Sequence, residues 1–198
     1  MMENRNIVKE IRNFVEEECK KPSSKYGYEP FLNHFSPVVE NALELANKLE
    51  EKGIKLDKEV IEISAWLHDI GSIIYGRENH HKTGAKIAEE KLTELNYPKN
   101  KIILVKESIL NHRGSKEDEN TRESIESQII AEADALDSFK RVSGLFKGAF
   151  VFENKTQEEA RISVLNKLKN KWNQLQFEES KQLIKPKYEA ALLLLGDK

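Results

Sequence analysis

Asp57-Lys58-Glu59-Val60-Ile61-Glu62-Ile63-Ser64-Ala65-Trp66-Leu67-His68-Asp69-Ile70-Gly71 is the stretch on which the fold turns. Asp57 is suited to N-cap a helix, because its carboxylate can accept from a free backbone N–H of the first turn. Val60, Ile63, Ala65 and Leu67 lie inside that helix, and Gly71 is expected to stop it. The pair His68-Asp69 then falls in the final turn. Neighbouring helical residues point about 100° apart and rarely share a target in mid-helix. At a fraying last turn, a long imidazole and a short carboxylate can both reach one ion.

The segments on either side repeat the helical pattern. Ile7, Ile11, Phe14 and Val15 define a first amphipathic helix, closed by Pro22 and the Ser23-Ser24 pair, and a loop with Tyr26 and Tyr28 follows. Val38, Ala42, Leu45, Ala46 and Leu49 form the face of a second helix that Gly53 stops. Pro37 restricts how it begins, which puts His34 in its first turn or just ahead of it. A fourth helix is expected from His80 to Leu95. Pro98 opens a fifth, in which Ile102, Val105, Ile109 and His112 face one way. The polar segment from Arg113 to Asn120 reads as a loop. A sixth helix is expected from about Glu123, with Ile125, Ile129, Ala133, Leu136 and Phe139 on its apolar side and Asp134 within it. Gly144 and Gly148 bracket an expected aromatic loop of Phe146, Phe150 and Phe152. Thr156 with Glu159 makes a capping box for a long helix, and Pro186 is expected to interrupt or kink the last one. No alternating strand pattern, internal repeat or low-complexity linker appears. The expectation is an all-α chain: one helical domain over residues 1–198, with a C-terminal helical extension at 156–198 packed on it.

Composition narrows the function. Hydrophobic residues make up 38% of the 198 and charged residues 33%, enough apolar content for a core under a highly charged surface. Lys and Arg number 32 against 34 Asp and Glu, a net charge of -2, so nucleic acid finds no global basic field and is not the expected partner. The lone Cys19 cannot form an internal disulfide and suits a reducing compartment. The N-terminal stretch lacks the apolar core of a signal peptide, and the apolar run Ala190 to Leu195 is far too short to span a membrane. A cytoplasmic protein without membrane attachment is expected.

His34, His68-Asp69 and Asp134 carry the chemistry. Asp134 interrupts the apolar run Ile129-Ile130-Ala131-Glu132-Ala133-Asp134-Ala135-Leu136. An unpaired buried carboxylate there would cost several kcal/mol, so without a metal it needs a partner such as Lys140 or Arg141. Two histidines with one or two carboxylates are ordinary ligands for Zn²⁺, Fe²⁺, Mn²⁺ or Ni²⁺. A metal with open positions makes water a nucleophile near neutral pH, which points to a hydrolase.

In order and context these residues resemble the HD superfamily of metal-dependent phosphohydrolases. The likeness rests on His34, on His68-Asp69 within Ala-Trp-Leu-His-Asp-Ile-Gly, and on Asp134 within Ile-Ile-Ala-Glu-Ala-Asp-Ala-Leu-Asp. It also includes His80-His81-Lys82-Thr83-Gly84-Ala85 and His112 at the end of Ser-Ile-Leu-Asn-His. It spans residues 30–142, which would be the metal-binding core, and it implies an all-helical fold. The resemblance implies His34, His68, Asp69 and Asp134 as ligands of the principal metal, with Asp69 as the bridge to any second ion. His80 and His112 would bind that second ion or stand near the phosphate and move protons; Asp69, His80 and His112 are thus the catalytic candidates, with His81 the alternative to His80. One or two divalent ions are implied, Mn, Fe, Ni, Co or Zn, with Mg admitted. The substrate would be a small phosphate ester or anhydride, with a nucleotide expected. Arg77, Lys82, Arg113 and Arg141 are candidates to contact its phosphate, because they lie next to expected site residues. Asp137 either orients a ligand or water or pairs with Arg141 one turn on. Ser72 stands where many members carry a lysine, and the Gly-Tyr-Pro signature of cyclic-dinucleotide phosphodiesterases is absent. A diiron oxygenase and a non-catalytic nucleotide-binding signalling module remain the competing readings. The apolar C-terminal helix packs on the domain or against a second copy, which would make a homodimer.

Overall fold

Asn6 accepts from Lys9 N at 3.0 Å and caps α1 (Ile7–Lys20). The computed structural model describes residues 6–113, 122 and 124–196. A single π-helical turn, Phe31–Phe35, follows and runs directly into α2 (Ser36–Glu51), with Pro37 in its first turn. His34 therefore sits just ahead of α2. Such a widened turn commonly marks a functional position in a helix. Asp57 caps α3 (Lys58–Leu67) by accepting from Val60 N at 3.1 Å, and α4 (Ile70–Tyr75) comes straight after. Then come α5 (His80–Glu94), α6 (Lys99–Asn111) and α7 (Ile125–Lys140). The chain ends with α8 (Val142–Lys147), a second π-helical turn at Gly148–Phe152, α9 (Gln157–Gln174) and α10 (Glu178–Leu195). The fold is all-α, with no strand among the described residues.

Two expectations about these elements need correcting, and a third is narrowed. Gly71 does not stop α3. That helix ends at Leu67, with His68 as C-cap and Asp69 as N-cap of α4, and Gly71 lies inside α4. Its glycine has a packing cause: a Cβ there would meet His80 O at 2.2 Å, Thr83 Oγ1 at 2.5 Å and Gly84 N at 2.7 Å. Gly71 and Gly84 are back to back, so α4 and α5 approach with almost nothing between their backbones. The expected aromatic loop at Gly144–Gly148 is helical, divided between α8 and the second π-helical turn. Of the two outcomes expected at Pro186, interruption does not occur: α10 runs from Glu178 to Leu195 with Pro186 inside it. The sixth expected helix begins at Ile125, and its expected start at Glu123 lies outside the described residues, as does most of the expected 113–120 loop.

The chain divides into two compact units, residues 1–131 and 132–198. In the first, α5 lies on α4 and α6, and α3 is packed by α1, α2 and α6. Its core includes Ile11, Val15, Phe35, Val38, Leu45, Ile61, Ile63, Leu67, Ile70, Ile109 and Ile129, each at most 3% exposed. An aromatic ladder supports the first π-helical turn: Phe31 stacks on Tyr28 at 5.6 Å and on Trp66 at 5.5 Å, with the Arg12 guanidinium 5.2 Å from the Phe31 ring. In the second unit, Ala135, Leu136, Phe139, Val164, Leu168, Leu175 and Ile184 form the core, and Trp172 stacks on Tyr188 at 4.5 Å. The capping box of Thr156 and Glu159 starts α9 as expected. Among the described residues no helix is long and apolar enough to cross a membrane.

Candidate metal centre

Asp69 is the centre of the first unit's chemistry, and the break between α3 and α4 puts it there. Its backbone leaves the helical region (φ -114°, ψ 13°), so His68 and Asp69 escape the divergence that an unbroken helix would impose. His34 arrives from the π-helical turn, His80 opens α5 and His112 caps the end of α6. The Gly71–Gly84 approach is what lets the first residue of α5 reach back to Asp69.

Four imidazoles surround this one carboxylate. Asp69 Oδ1 is 3.1 Å from His80 Nε2 and 3.4 Å from His112 Nε2. Asp69 Oδ2 is 3.5 Å from His34 Nε2 and 4.0 Å from His68 Nε2. Within each pair the ring nitrogens are close too: 3.1 Å between His34 and His68 Nε2, and 3.4 Å between His80 and His112 Nε2. Each oxygen of Asp69 therefore faces its own pair of histidines.

The backbone sets which nitrogen carries the proton. His68 Nδ1 donates to Ala65 O at 2.8 Å, His80 Nδ1 to Arg77 O at 2.8 Å, and His112 Nδ1 to Ile109 O at 2.6 Å. A carbonyl can only accept, so in all three rings Nδ1 holds a hydrogen and neutral Nε2 offers a lone pair. This is the arrangement in which a metal-binding histidine is oriented by a carbonyl behind it. Lone pairs and a carboxylate converging at these distances need a cation among them, either protons or a metal ion. Two ligand atoms on one ion, each about 2.1 Å from it, stand roughly 2.9–3.4 Å apart. Most of the measured separations fit that spacing, and Asp69, His80 and His112 form one group able to hold an ion.

Burial pushes the Asp69 carboxyl up, but the imidazoles of His112, His34 and His80 outweigh it and hold it well below the usual carboxylate range. His80 feels the converse: burial lowers it, while the Asp69 carboxylate beside it raises it on balance. Phe35 supplies an apolar wall, its ring 5.5 Å from that of His68 and 5.8 Å from that of His34.

The remaining candidates fall in different places. His80, not His81, turns its Nε2 to Asp69. His81 is buried beside it and accepts from Arg113 Nη1 at Nδ1, at 3.2 Å; burial first, then the Arg113 charge, pushes its pKa down to about 4. Arg77 is exposed and serves His80 through its carbonyl, and Lys82 is exposed. Arg141 pairs with Asp137 one turn before it on α7, the second of the two roles expected for Asp137. Asp134 lies on α7 in the second unit and is paired with Lys171 of α9, not with Lys140 or Arg141. Lys171 was not among the sequence candidates. It is one of 32 basic residues, and only the packing of α9 in that unit picks it out.

A family model described as HD domain matches residues 31–138, more than half of the chain. Neither a curated protein nor a solved structure matches it.

Proposed function

The chain belongs to the HD domain family, a superfamily of metal-dependent phosphohydrolases, and we propose that it hydrolyses a small phosphate ester or anhydride, a nucleotide by preference, at a centre built on Asp69. One observation carries the reading: each Asp69 oxygen faces a pair of imidazole Nε2 atoms, and in three of the four rings a backbone carbonyl holds Nδ1 so that the Nε2 lone pair is free to turn inward. That favours two cation positions with Asp69 as the bridge. His34 and His68 would hold one ion, joined by Asp134 as the family resemblance implies, and His80 and His112 would hold the other. The donor set suits Mn²⁺, Fe²⁺, Co²⁺, Ni²⁺ or Zn²⁺ better than a hydrated Mg²⁺. Such ions, when bound, polarise a phosphoryl oxygen and lower the pKa of water.

The chain's own groups do the rest. The carbonyls of Ala65, Arg77 and Ile109 keep three imidazoles in one tautomer, so the site needs little rearrangement on loading. Phe35 and the buried ends of α3 and α6 keep water from the His68 side. Arg113, immediately after His112, is the cation best placed to meet a phosphate; Arg77 is a further candidate. Where the second position is left without an ion, His80 or His112 is the group to accept a proton at Nε2.

Metal content by plasma mass spectrometry is the decisive experiment, read on wild type and on His68→Ala, Asp69→Ala and His112→Ala. Near two ions per chain are expected, close to none in Asp69→Ala and about one in His112→Ala. The metal-loaded wild type should release phosphate or pyrophosphate from members of a nucleotide panel. Full metal content and turnover in Asp69→Ala would refute the site. A product that requires dioxygen would replace the hydrolase with an oxygenase, and saturable nucleotide binding without turnover would replace it with a signalling module.

A further inference from the structure

Three histidines of the candidate centre rest Nδ1 on the carbonyl three residues back, and two of them find that carbonyl in place. His68 and His112 are the C-caps of α3 and α6, so Ala65 O and Ile109 O belong to last helical turns, whose carbonyls a helix leaves to outside donors. His80 is the first residue of α5 and has no helical turn behind it. Its Nδ1 nonetheless donates to Arg77 O at 2.8 Å, with Nε2 3.1 Å from Asp69 Oδ1. The turn ahead of α5 has to present this carbonyl, and Asn79 makes that turn with a left-handed backbone (φ 51°, ψ 21°). A helix N-cap is ordinarily extended and supplies a side chain that accepts from the first turn. Asn79 does neither. Its side chain makes no capping bond, and its carbonyl holds the start of α5 instead, accepting from Lys82 N at 2.9 Å and Thr83 N at 3.1 Å. The other non-glycine residues with positive φ among the described ones, Asn96 and Asn154, follow the C-caps Leu95 and Glu153, where a left-handed residue commonly ends a helical turn. Asn79 is the one that has this backbone ahead of a helix.

We propose that Asn79 is a positioning residue whose left-handed backbone carries Arg77 O to His80 Nδ1, and that it thereby decides whether the His80–His112 position holds an ion. The assignment rests on the two-position reading of the centre and adds to it what controls the second position. The Asn79 side chain is exposed, so packing does not call for an asparagine there. The backbone does: an ordinary Cβ is strained in the left-handed region, whereas glycine takes it freely and Asn tolerates it. The backbone of His80 is held separately, by α4, since Gly71 stands so close to His80 O that a Cβ on it would come within 2.2 Å. What the turn controls is therefore the ring. Without the Arg77 carbonyl, the imidazole can rotate and can keep its proton on Nε2, the nitrogen that faces Asp69.

The test is titration of the full chain with Mn²⁺, with free ion followed by electron paramagnetic resonance and bound ion counted by plasma mass spectrometry. Wild type, Asn79→Gly and Asn79→Val are compared, each also in a His80→Ala background. Asn79→Gly, which keeps the left-handed turn, should match wild type within about twofold for both ions. Asn79→Val should bind the first ion as wild type does and the second roughly 5- to 30-fold more weakly, the strain of a left-handed residue expressed as a binding constant. Asn79→Ala is the milder probe and should fall between the two, which keeps the test open if Asn79→Val does not fold. In the His80→Ala background Asn79→Val should change neither affinity further, because Asn79 acts only through His80. A merely structural turn gives a different result: Asn79→Val and Asn79→Ala then lower the urea midpoint with both Mn²⁺ affinities unchanged, which overturns the assignment. Equal weakening in Asn79→Gly and Asn79→Val, or a further loss in the His80→Ala background, overturns it as well. A wild type that takes up no ion, or whose second ion survives His80→Ala at full affinity, overturns the parent reading and this assignment with it. The wild-type and His80→Ala titrations alone identify that case.

Discussion

Asp134 and Lys171 form the pairing that decides what the second unit contributes. The two side chains meet across α7 and α9, and a lysine on a carboxylate is a competitor for any metal that the carboxylate would bind. Replacing Lys171 by Gln should therefore tighten Mn²⁺ binding about three- to tenfold if Asp134 is a ligand. A titration following Mn²⁺ by electron paramagnetic resonance reads this directly, and unchanged or weaker affinity would remove Asp134 from the ligand set. Glu153 gives a cleaner electrostatic case. Lys155 and Lys167, the latter at 2.9 Å, hold its pKa at about 2 against an ordinary 4.5. A carboxyl depressed in the folded state stabilises the fold fully above its unfolded pKa, and the contribution disappears as pH falls through the folded value. The melting temperature of wild type minus that of Glu153→Gln should thus be positive at pH 6 and shrink steadily between pH 4.5 and 2. A difference that stays flat over that window would mean the lysines do not act on Glu153. Residue types at this scale were legible in the sequence: His34, His68, Asp69, His80 and His112 were all named from their order and local context, and the structure gathers the four histidines around Asp69. What could not be read was direction. Which ring nitrogen faces Asp69 depends on carbonyls three residues back, and the choice of His80 over His81 depends on how α5 meets α4.

Elements were easier to read than their junctions. Hydrophobic spacing located every long helix, because amphipathic burial is what makes those segments helical. Gly71 was misread because a glycine suits both a helix end and a close helix contact, and only the presence of α5 distinguishes the two. Gly71→Ala puts a methyl where His80 O and Gly84 N, both backbone atoms, stand at 2.2 and 2.7 Å, so α5 must move away. We expect a loss of about 1–3 kcal/mol or more. Chemical denaturation should show that loss, and metal analysis should show a selective fall in the ion assigned to His80 and His112. Unchanged stability and full metal content would mean that the approach of α4 and α5 is slack. Glu132 is the other hidden junction. It lies in a run that reads as apolar helix, yet it is fully buried and its Oε1 accepts from Gln176 N at 2.6 Å and Phe177 N at 3.0 Å, just before α10. Glu132→Ala leaves two backbone N–H groups without this acceptor and should cost about 2–3 kcal/mol, seen as a lower urea midpoint.

At the scale of the molecule, metal binding at the candidate ligands would share one free-energy balance with folding. His34, His68, Asp69, His80 and His112 come from the π-helical turn, the α3–α4 junction, α5 and the end of α6, all within residues 1–131. An unfolded chain cannot hold these five groups together, so an ion that binds the native site stabilises that unit by mass action. At 100 times the dissociation constant the gain is about 2.7 kcal/mol, which for a chain of this size is roughly 5–10 °C in melting temperature. Adding a chelator should remove that increment, and Asp69→Ala should melt at one temperature with or without metal. Calorimetry is preferable to a single optical probe, since two compact units need not unfold in one step. If the chelated and loaded proteins melt together while metal analysis still finds bound ions, those ions sit on groups the unfolded chain also offers. The converging imidazoles around Asp69 would then be satisfied by protons, and the hydrolytic reading would lose its structural basis.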